Sequence, residues 1–436
     1  MKSILWFRRD LRINDNAILA HAKGEVLPLF IFDTNILDKL EHADKRVTFI
    51  YKSVLELKTK LQSIGLDLAV FYGKPAQIFK KLKTQGFDEV LCSVDFDAYA
   101  KNRDKEIEKI LHVRTYLDSF LLHPSLHVKN DGTPYKVFTP FYNSLSPLWQ
   151  SSKIQEYKPN PKLQLAHYDF AKLPSLESMG FMHQKLPDFL YLDAHTLLGT
   201  FIKKLPSYKE KRDYFSEEAS SSLSVHLRFG IISPKEIFNT IKEYPHSEFF
   251  IRELFWREFY NYILYHFPTS EFENFNGYEI KWRNDKEEFK KWCEGETGFP
   301  LIDAAMKHLN EIGVMHNRLR MIVASFLCKN LLIDWRWGEA YFAQKLLDYE
   351  ASSNIGSWQW AASTGADSVP YFRIFNPYLQ SKKFDKEALF IKATLPHLQN
   401  KESKELHTDN PTQMISLSFS RDRAIKAFKK AKDARD

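Results

Sequence analysis

Over roughly its first 125 residues the chain alternates two kinds of hydrophobic run. Short apolar blocks at 4–7, 26–32, 68–72, 90–94 and 113–116 have the length and β-branched content of buried strands. Between them Val47, Ile50, Val54, Leu57, Leu61 and Ile64 recur at helical spacing, and Gly65 stands where a helix C-cap belongs. Residues 75–82 repeat the pattern ahead of Gly86, and 99–111 predict a third helix. Strand–helix alternation predicts a doubly wound parallel sheet, so the expected N-terminal unit is an α/β domain over 1–126. Such sheets take nucleotide-type ligands at the carboxyl ends of their strands. This one has neither a G-x-G-x-x-G nor a Walker loop to cradle a phosphate.

From 127 to 188 the periodicity dissolves into proline and polar residues (KPNPKLQ, KLPSLES) with turn signals such as Asp131-Gly132, which predicts a connector. From 189 to 436 helical spacing returns, clearest over 248–266, 300–312, 318–331 and 338–347, with almost no strand-like run. The expected second domain is all-α. Its last segment, AIKAFKKAKDARD, reads as a basic helix or frayed tail with a solvated face.

Composition narrows the picture. Two or three domains fit 436 residues, and no run approaches the eighteen apolar residues of a membrane span. The first residues carry too short an apolar run for a signal peptide. Cys92, Cys293 and Cys328 are far apart and lack C-x-x-C spacing, which argues against a disulfide framework or a zinc site. A cytoplasmic protein without a metal is expected. Its net charge of +7 favours a polyanionic partner, and its 35 Phe, 20 Tyr and 9 Trp can line a pocket for flat ligands or simply fill a helical core.

Candidate chemistry gathers in the helical part. The SSSLS run at 220–224 offers hydroxyls and backbone amides at a helix start, which suits a pyrophosphate and equally suits an ordinary cap. Glu253, Trp256 and Arg257 fall at i, i+3 and i+4, on one helix face. That stripe can pair with, stack on and anchor a nucleotide, or it is an amphipathic helix with an internal ion pair. In HNRLRM, Asn317 shares a face with Arg320 and Met321. Residues 346–385 then bring together Asp348, Glu350 and Asn354, the indoles Trp358 and Trp360, and the cations Arg373, Lys382 and Lys383. Acids and an amide bind a polar heterocycle, indoles stack or pass electrons, and cations hold phosphates. A flavin enzyme acting on a nucleic-acid base needs all three.

The opening ILWFRRDLRINDN, with ELFWREFY, HNRLRM, LLIDWR, NIGSWQWAASTG and PYFRIFNPYLQSKKFD, resembles the photolyase/cryptochrome family from residue 3 to about 397. The resemblance is strongest to the bacterial class I cyclobutane pyrimidine dimer photolyases. It implies light-driven repair of such dimers in DNA by a carbon–carbon lyase. The excited reduced FAD would donate an electron to a flipped-out lesion. A cryptochrome-like blue-light receptor and a (6-4) photolyase are the alternatives. Carried over by position, the FAD site would comprise Tyr208, Ser220, Ser221, Leu223, Ser224, Arg257, Asn317, Arg320, Asp348, Glu350 and Asn354. The lesion would meet Glu253, Trp256, Asn317, Met321 and Trp360. Electrons would travel through Trp358, Trp335 and Trp282, and DNA phosphates would meet Arg257, Arg318, Arg373 and Lys383. Damaged DNA is the implied partner and the expected state is a monomer. Tyr99 and Ala100 stand where folate-type relatives place Asn and Glu, which counts against a folate antenna and leaves a deazaflavin, a second flavin or none.

Overall fold

The five predicted strands all form in the computed structural model, which describes residues 2–147 and 154–435. They are β1 (Lys2–Phe7), β2 (Glu25–Asp33), β3 (Ala69–Gly73), β4 (Glu89–Ser93) and β5 (His112–Tyr116). All pair in parallel, in the order β3-β2-β1-β4-β5. Central β1 places Ile4 opposite both Leu27 and Val90, each fully buried. Side chains alternate across the pleat, so one strand feeds two cores. Leu5 and Phe7 face α1 (Lys45–Gln62) through Val47, Val54, Leu57 and Leu61. Ile4 and Trp6 face Phe79 and Leu82 of α2 (Pro75–Thr84) and Ile107 of α3 (Ala98–Glu108). Each such side chain contributes roughly 1.5–3 kcal/mol on burial.

The strand order reverses between β1 and β4, the place where doubly wound sheets open a ligand crevice. Here the chain sets its own ion pairs beside that place. Arg8 reaches Asp104 at 2.6 Å and the Ser93 carbonyl, Arg9 reaches Asp95 at 3.1 Å, and Arg12 reaches Asp118 at 2.7 Å. Asp10 is fully buried among them, and burial pushes its carboxyl up to about 7. The loop after β1 is clamped further. Leu11 N–H donates to the Phe229 carbonyl at 3.1 Å and Arg12 Nη1 to the Gly230 carbonyl at 3.2 Å.

The connector stretch is not a free linker. Gln164–Leu165 forms β6, a sixth parallel strand beside the start of β2. The chain divides into two compact units that ignore its linear order. One comprises Met1–Asp131, Tyr142–Lys203 and Ser221–Glu258, and the other Gly132–Phe141, Lys204–Ser220 and Phe259–Asp436.

The second unit is helical. Its longer helices continue from α4 (Glu248–His266), whose first half belongs to the first unit, to α5 (Pro300–Ile312), α6 (Asn317–Ser325), α7 (Trp335–Lys345), α8 (Ala351–Ala362), α9 (Pro377–Phe384) and α10 (Leu417–Asp433). Their core holds Trp292, Trp335 and Trp358, all essentially inaccessible. Two expectations change. The helix expected over 318–331 stops at Ser325, and Phe326–Asn330 is a π-helical turn closed by the Leu331 N–H on the Phe326 carbonyl at 3.0 Å. One extra residue in that turn rotates the side chains that follow. The C-terminal segment is the expected basic helix, with Lys426, Lys429, Lys430 and Lys432 exposed, but instead of fraying α10 also buries Ser420, Ala424, Phe428 and Ala431 along one stripe.

Gly230 tests the β1 clamp. Its φ of 65° suits glycine, and a Cβ there would overlap the Arg9 carbonyl and the Asp10 Cα. Gly230→Ala should cost about 3 kcal/mol of stability, measured as a lower urea midpoint at constant m-value. An unchanged midpoint would show the clamp to be loose.

Candidate functional site

Within the second unit, α6 and α8 pack on one another, and the residues leading into each carry polar side chains. His316 caps α6, its Nδ1 accepting from the Arg318 N–H at 3.1 Å. Burial drives the His316 imidazole down to about 4, so it stays neutral near pH 7 and acts as a cap. One turn on, Arg320 Nη2 reaches Asp348 Oδ2 at 2.8 Å, while its Nε holds the Met315 carbonyl at 2.8 Å. The Asp348 side chain is 5% exposed, and its second oxygen, Oδ1, is buried with no protein partner. An unmatched buried acceptor costs about 1–3 kcal/mol, so this oxygen suits a donor that the chain itself does not supply.

Asn354, buried on α8, gives both amide contacts of its Nδ2 to Glu339: the side chain at 2.9 Å and the carbonyl at 3.2 Å. Burial raises the Glu339 carboxyl, which also accepts from Tyr349 at 3.3 Å. The Asn354 amide is thereby fixed with its oxygen turned from Glu339. Glu350 is buried at the entry to α8 and accepts from Ser353 Oγ at 3.0 Å. Asn317 is exposed at the start of α6 and sits 4.0 Å from the Met321 sulfur, the pair expected from i, i+4 spacing. Trp360 is half-buried against the helical core.

Trp358, Trp335 and Trp282 differ in setting. Trp358 and Trp335 are buried and Trp282 is half-buried at the edge, beside Phe428 at 5.9 Å. Trp335 Nε1 donates to Asn274 Oδ1 at 2.8 Å. The indole of Trp358 lies over Gly338 of α7, three residues beyond Trp335, and touches the rings of Phe342 at 5.0 Å and Trp292 at 6.0 Å.

Other predicted residues are placed less simply. Arg318 is held by Asp213 through two bonds, 2.7 and 3.3 Å, so its charge is largely matched within the chain. Arg373 and Lys383 are exposed, Tyr208 is buried beside Arg212, and Ser220 is exposed. In the first unit Ser221 Oγ accepts from the Leu223 N–H at 3.3 Å, and Ser224 opens the short helix Ser224–Phe229. Glu253 and Trp256 are half-buried on α4. Arg257 Nη1 donates to the Ser119 carbonyl at 2.7 Å, with its guanidinium over Phe120. Tyr99 donates to Asp33 at the carboxyl end of β2. Sequence reasoning missed Glu339 and Asp213, which aim Asn354 and Arg318. Neither lies in a motif, and only the fold brings them close.

Residues 3–162 match the family model for DNA photolyase, and residues 250–430 match that for the FAD binding domain of DNA photolyase. A deoxyribodipyrimidine photo-lyase of Alkalihalophilus pseudofirmus is 36% identical, covering 98% of this chain and 97% of that protein. The chain belongs to the DNA photolyase family. A deoxyribodipyrimidine photo-lyase of Halobacterium salinarum is 33% identical over 98% of this chain and 99% of its own. Among solved structures, an archaeal photolyase from Sulfolobus tokodaii with two FAD molecules superposes with a TM-score of 0.86 at 32% identity, covering 99% of this chain and 100% of that one. A class III photolyase from Agrobacterium tumefaciens gives 0.85 at 32% identity over 99% and 98% of the two chains. The helical unit is thus an FAD-binding domain, and its donor set fits the cofactor: an orphaned buried carboxylate oxygen, a locked amide and a neighbouring guanidinium. Among the described residues no helix is long and apolar enough to cross a membrane, and no cluster of metal-binding side chains occurs.

Gly338 reports on the packing of the buried indoles. A Cβ there would overlap the Trp358 ring and Leu327. Gly338→Ala should destabilise the protein by about 1–3 kcal/mol and alter Trp358 fluorescence. A wild-type melting curve and emission spectrum would contradict the packing described.

Proposed function

We propose that this photolyase-family protein splits cyclobutane pyrimidine dimers in DNA under light. The observation that carries the reading is the arrangement around α6 and α8, where Asn317, Met321 and Trp360 accompany the Arg320–Asp348 pair with its unsatisfied oxygen. When bound, reduced FAD supplies the photoexcited electron that opens the cyclobutane ring and receives it back. The chain's part is to hold and to exclude. Asp348, oriented by Arg320, and the locked Asn354 oxygen meet polar edges of the flavin, with Glu350 beside them. Tyr208, Ser220, Ser221, Leu223, Ser224 and Arg257 hold the rest of the cofactor.

Photolyases are among the enzymes known to take their target out of the duplex, where a distorted lesion is cheapest to extrude. Trp256 and Trp360 then pack on the two bases, at roughly 1–3 kcal/mol per stacked base. Glu253 and Asn317 hydrogen-bond their edges, and Met321 packs beside them. Exposed Arg373 and Lys383 meet phosphates more readily than Arg318, whose partner Asp213 must be outcompeted. Trp358, Trp335 and Trp282 would carry electrons to the cofactor from an external reductant, which is oxidised at the surface. His316 is engaged as the cap of α6, its Nδ1 accepting from the Arg318 N–H at 3.1 Å, and Asn317 and Met321 follow it on the helix, which favours the pyrimidine-dimer reading over a (6-4) lesion. We take the protein to work as a monomer, with any antenna other than folate.

A blue-light receptor is the second reading. A cryptochrome from Synechocystis superposes with a TM-score of 0.86 at 25% identity over 98% of this chain and 99% of that one. The deciding assay follows thymine dimers in an oligonucleotide with purified protein, lit against dark. Loss of dimers only in the light is expected, and dimers that persist in both arms would leave the receptor reading. Trp256→Ala should weaken binding to dimer-containing DNA roughly tenfold or more without releasing FAD. Flavin loss with unchanged DNA affinity would move Trp256 to the cofactor.

A further inference from the structure

Lys329 is a fully buried lysine without an acid. It lies in the π-helical turn Phe326–Asn330, every residue of which is buried. Among the described residues its Nζ has one hydrogen bond, to the Arg373 carbonyl at 3.2 Å, and no carboxylate pairs with it. The charged or titratable groups near it are the Cys328 thiol, the Arg373 guanidinium and Arg423, which reaches the Asn330 carbonyl from α10. Burial pushes the Lys329 amine down to about 7. Enclosing an amine with one acceptor costs several kcal/mol against an apolar side chain of the same size. A simple core position has no use for it.

What the amine touches supplies the use. Residues 370–373 form a tight turn, closed by the Arg373 N–H on the Pro370 carbonyl at 2.9 Å, that displays Phe372 and Arg373 to solvent. The turn is held from below at three points. Tyr371 stacks parallel on Phe428 at 6.2 Å, Phe375 N–H reaches Ser325 Oγ at 3.5 Å, and Lys329 takes the Arg373 carbonyl. Ser325 is the last residue of α6, and the π-helical turn begins at the next, so the insertion that ends α6 is what brings Lys329 under the loop.

We propose that Lys329 is a positioning residue: it fixes the turn that carries Arg373, and so sets the Arg373 guanidinium for a DNA phosphate. The inference rests on the DNA-repair reading above. Its test is a salt titration of binding to a dimer-containing duplex in the dark, using FAD-loaded protein. Wild type is compared with Lys329→Met, Arg373→Ala and the double variant. Each single variant should flatten the slope of log K against log salt by about 0.9, the value of one phosphate contact, and weaken binding roughly tenfold. The double variant should be no worse than Arg373→Ala, and in Lys329→Met the loss should fall on KM for damaged DNA rather than on kcat. Trypsin should also cleave after Arg373 faster in Lys329→Met without DNA. Lys329→Gln, which retains a donor, should recover part of both effects. A wild-type slope in Lys329→Met, or losses that add in the double variant, would overturn the positioning role. Wild-type protein that ignores the damaged duplex would instead bring down the repair reading, and this inference with it.

Discussion

The Arg320–Asp348 pair is the contact on which the helical site depends. A guanidinium 28% exposed meets a carboxylate 5% exposed at 2.8 Å, tying the first turn of α6 to the residues that enter α8. A buried carboxylate left without its arginine is an uncompensated charge, costing about 3–5 kcal/mol. The pair also leaves Asp348 Oδ1 unmatched, so the chain keeps an acceptor in reserve within its FAD-binding domain. Stability and ligand readiness come from the same two side chains.

Both units bury charge, and neither matches all of it. In the sheet unit Arg8, Arg9 and Arg12 each find an acid beside the place where the strand order reverses, while Asp10 Oδ2 stays unmatched. The helical unit likewise leaves buried polar groups with spare capacity: Asp348 Oδ1, and Lys329 on a single carbonyl. Buried polar groups with spare capacity are unfavourable to fold, and they persist where a ligand or a mobile loop completes them.

Second-layer contacts give the site its precision. Asn354 is useful only if its amide is aimed, and Glu339, one helix away, aims it. Arg318 looks like a free cation in HNRLRM, yet Asp213 holds it in a two-bond fork. The π-helical turn shows the same logic at the backbone level, since one inserted residue redirects Lys329 from a helix face to the underside of a loop.

Much of this was already present in the order of residues. Apolar blocks of strand length separated by helical repeats sufficed for a parallel sheet, because buried parallel strands need near-continuous hydrophobic runs and their crossovers need helices. The i, i+4 relation of Asn317 and Met321 followed from spacing alone. Tertiary structure decided what spacing cannot reach. Asp213, Glu339 and Asn274 meet their partners across 105, 15 and 61 residues of chain. The break of the 318–331 repeat into a π-helical turn, and the burial of α10, depend on packing against elements remote in sequence. Periodicity reports which face of an element is apolar, whereas pairing between elements is fixed only when the fold closes.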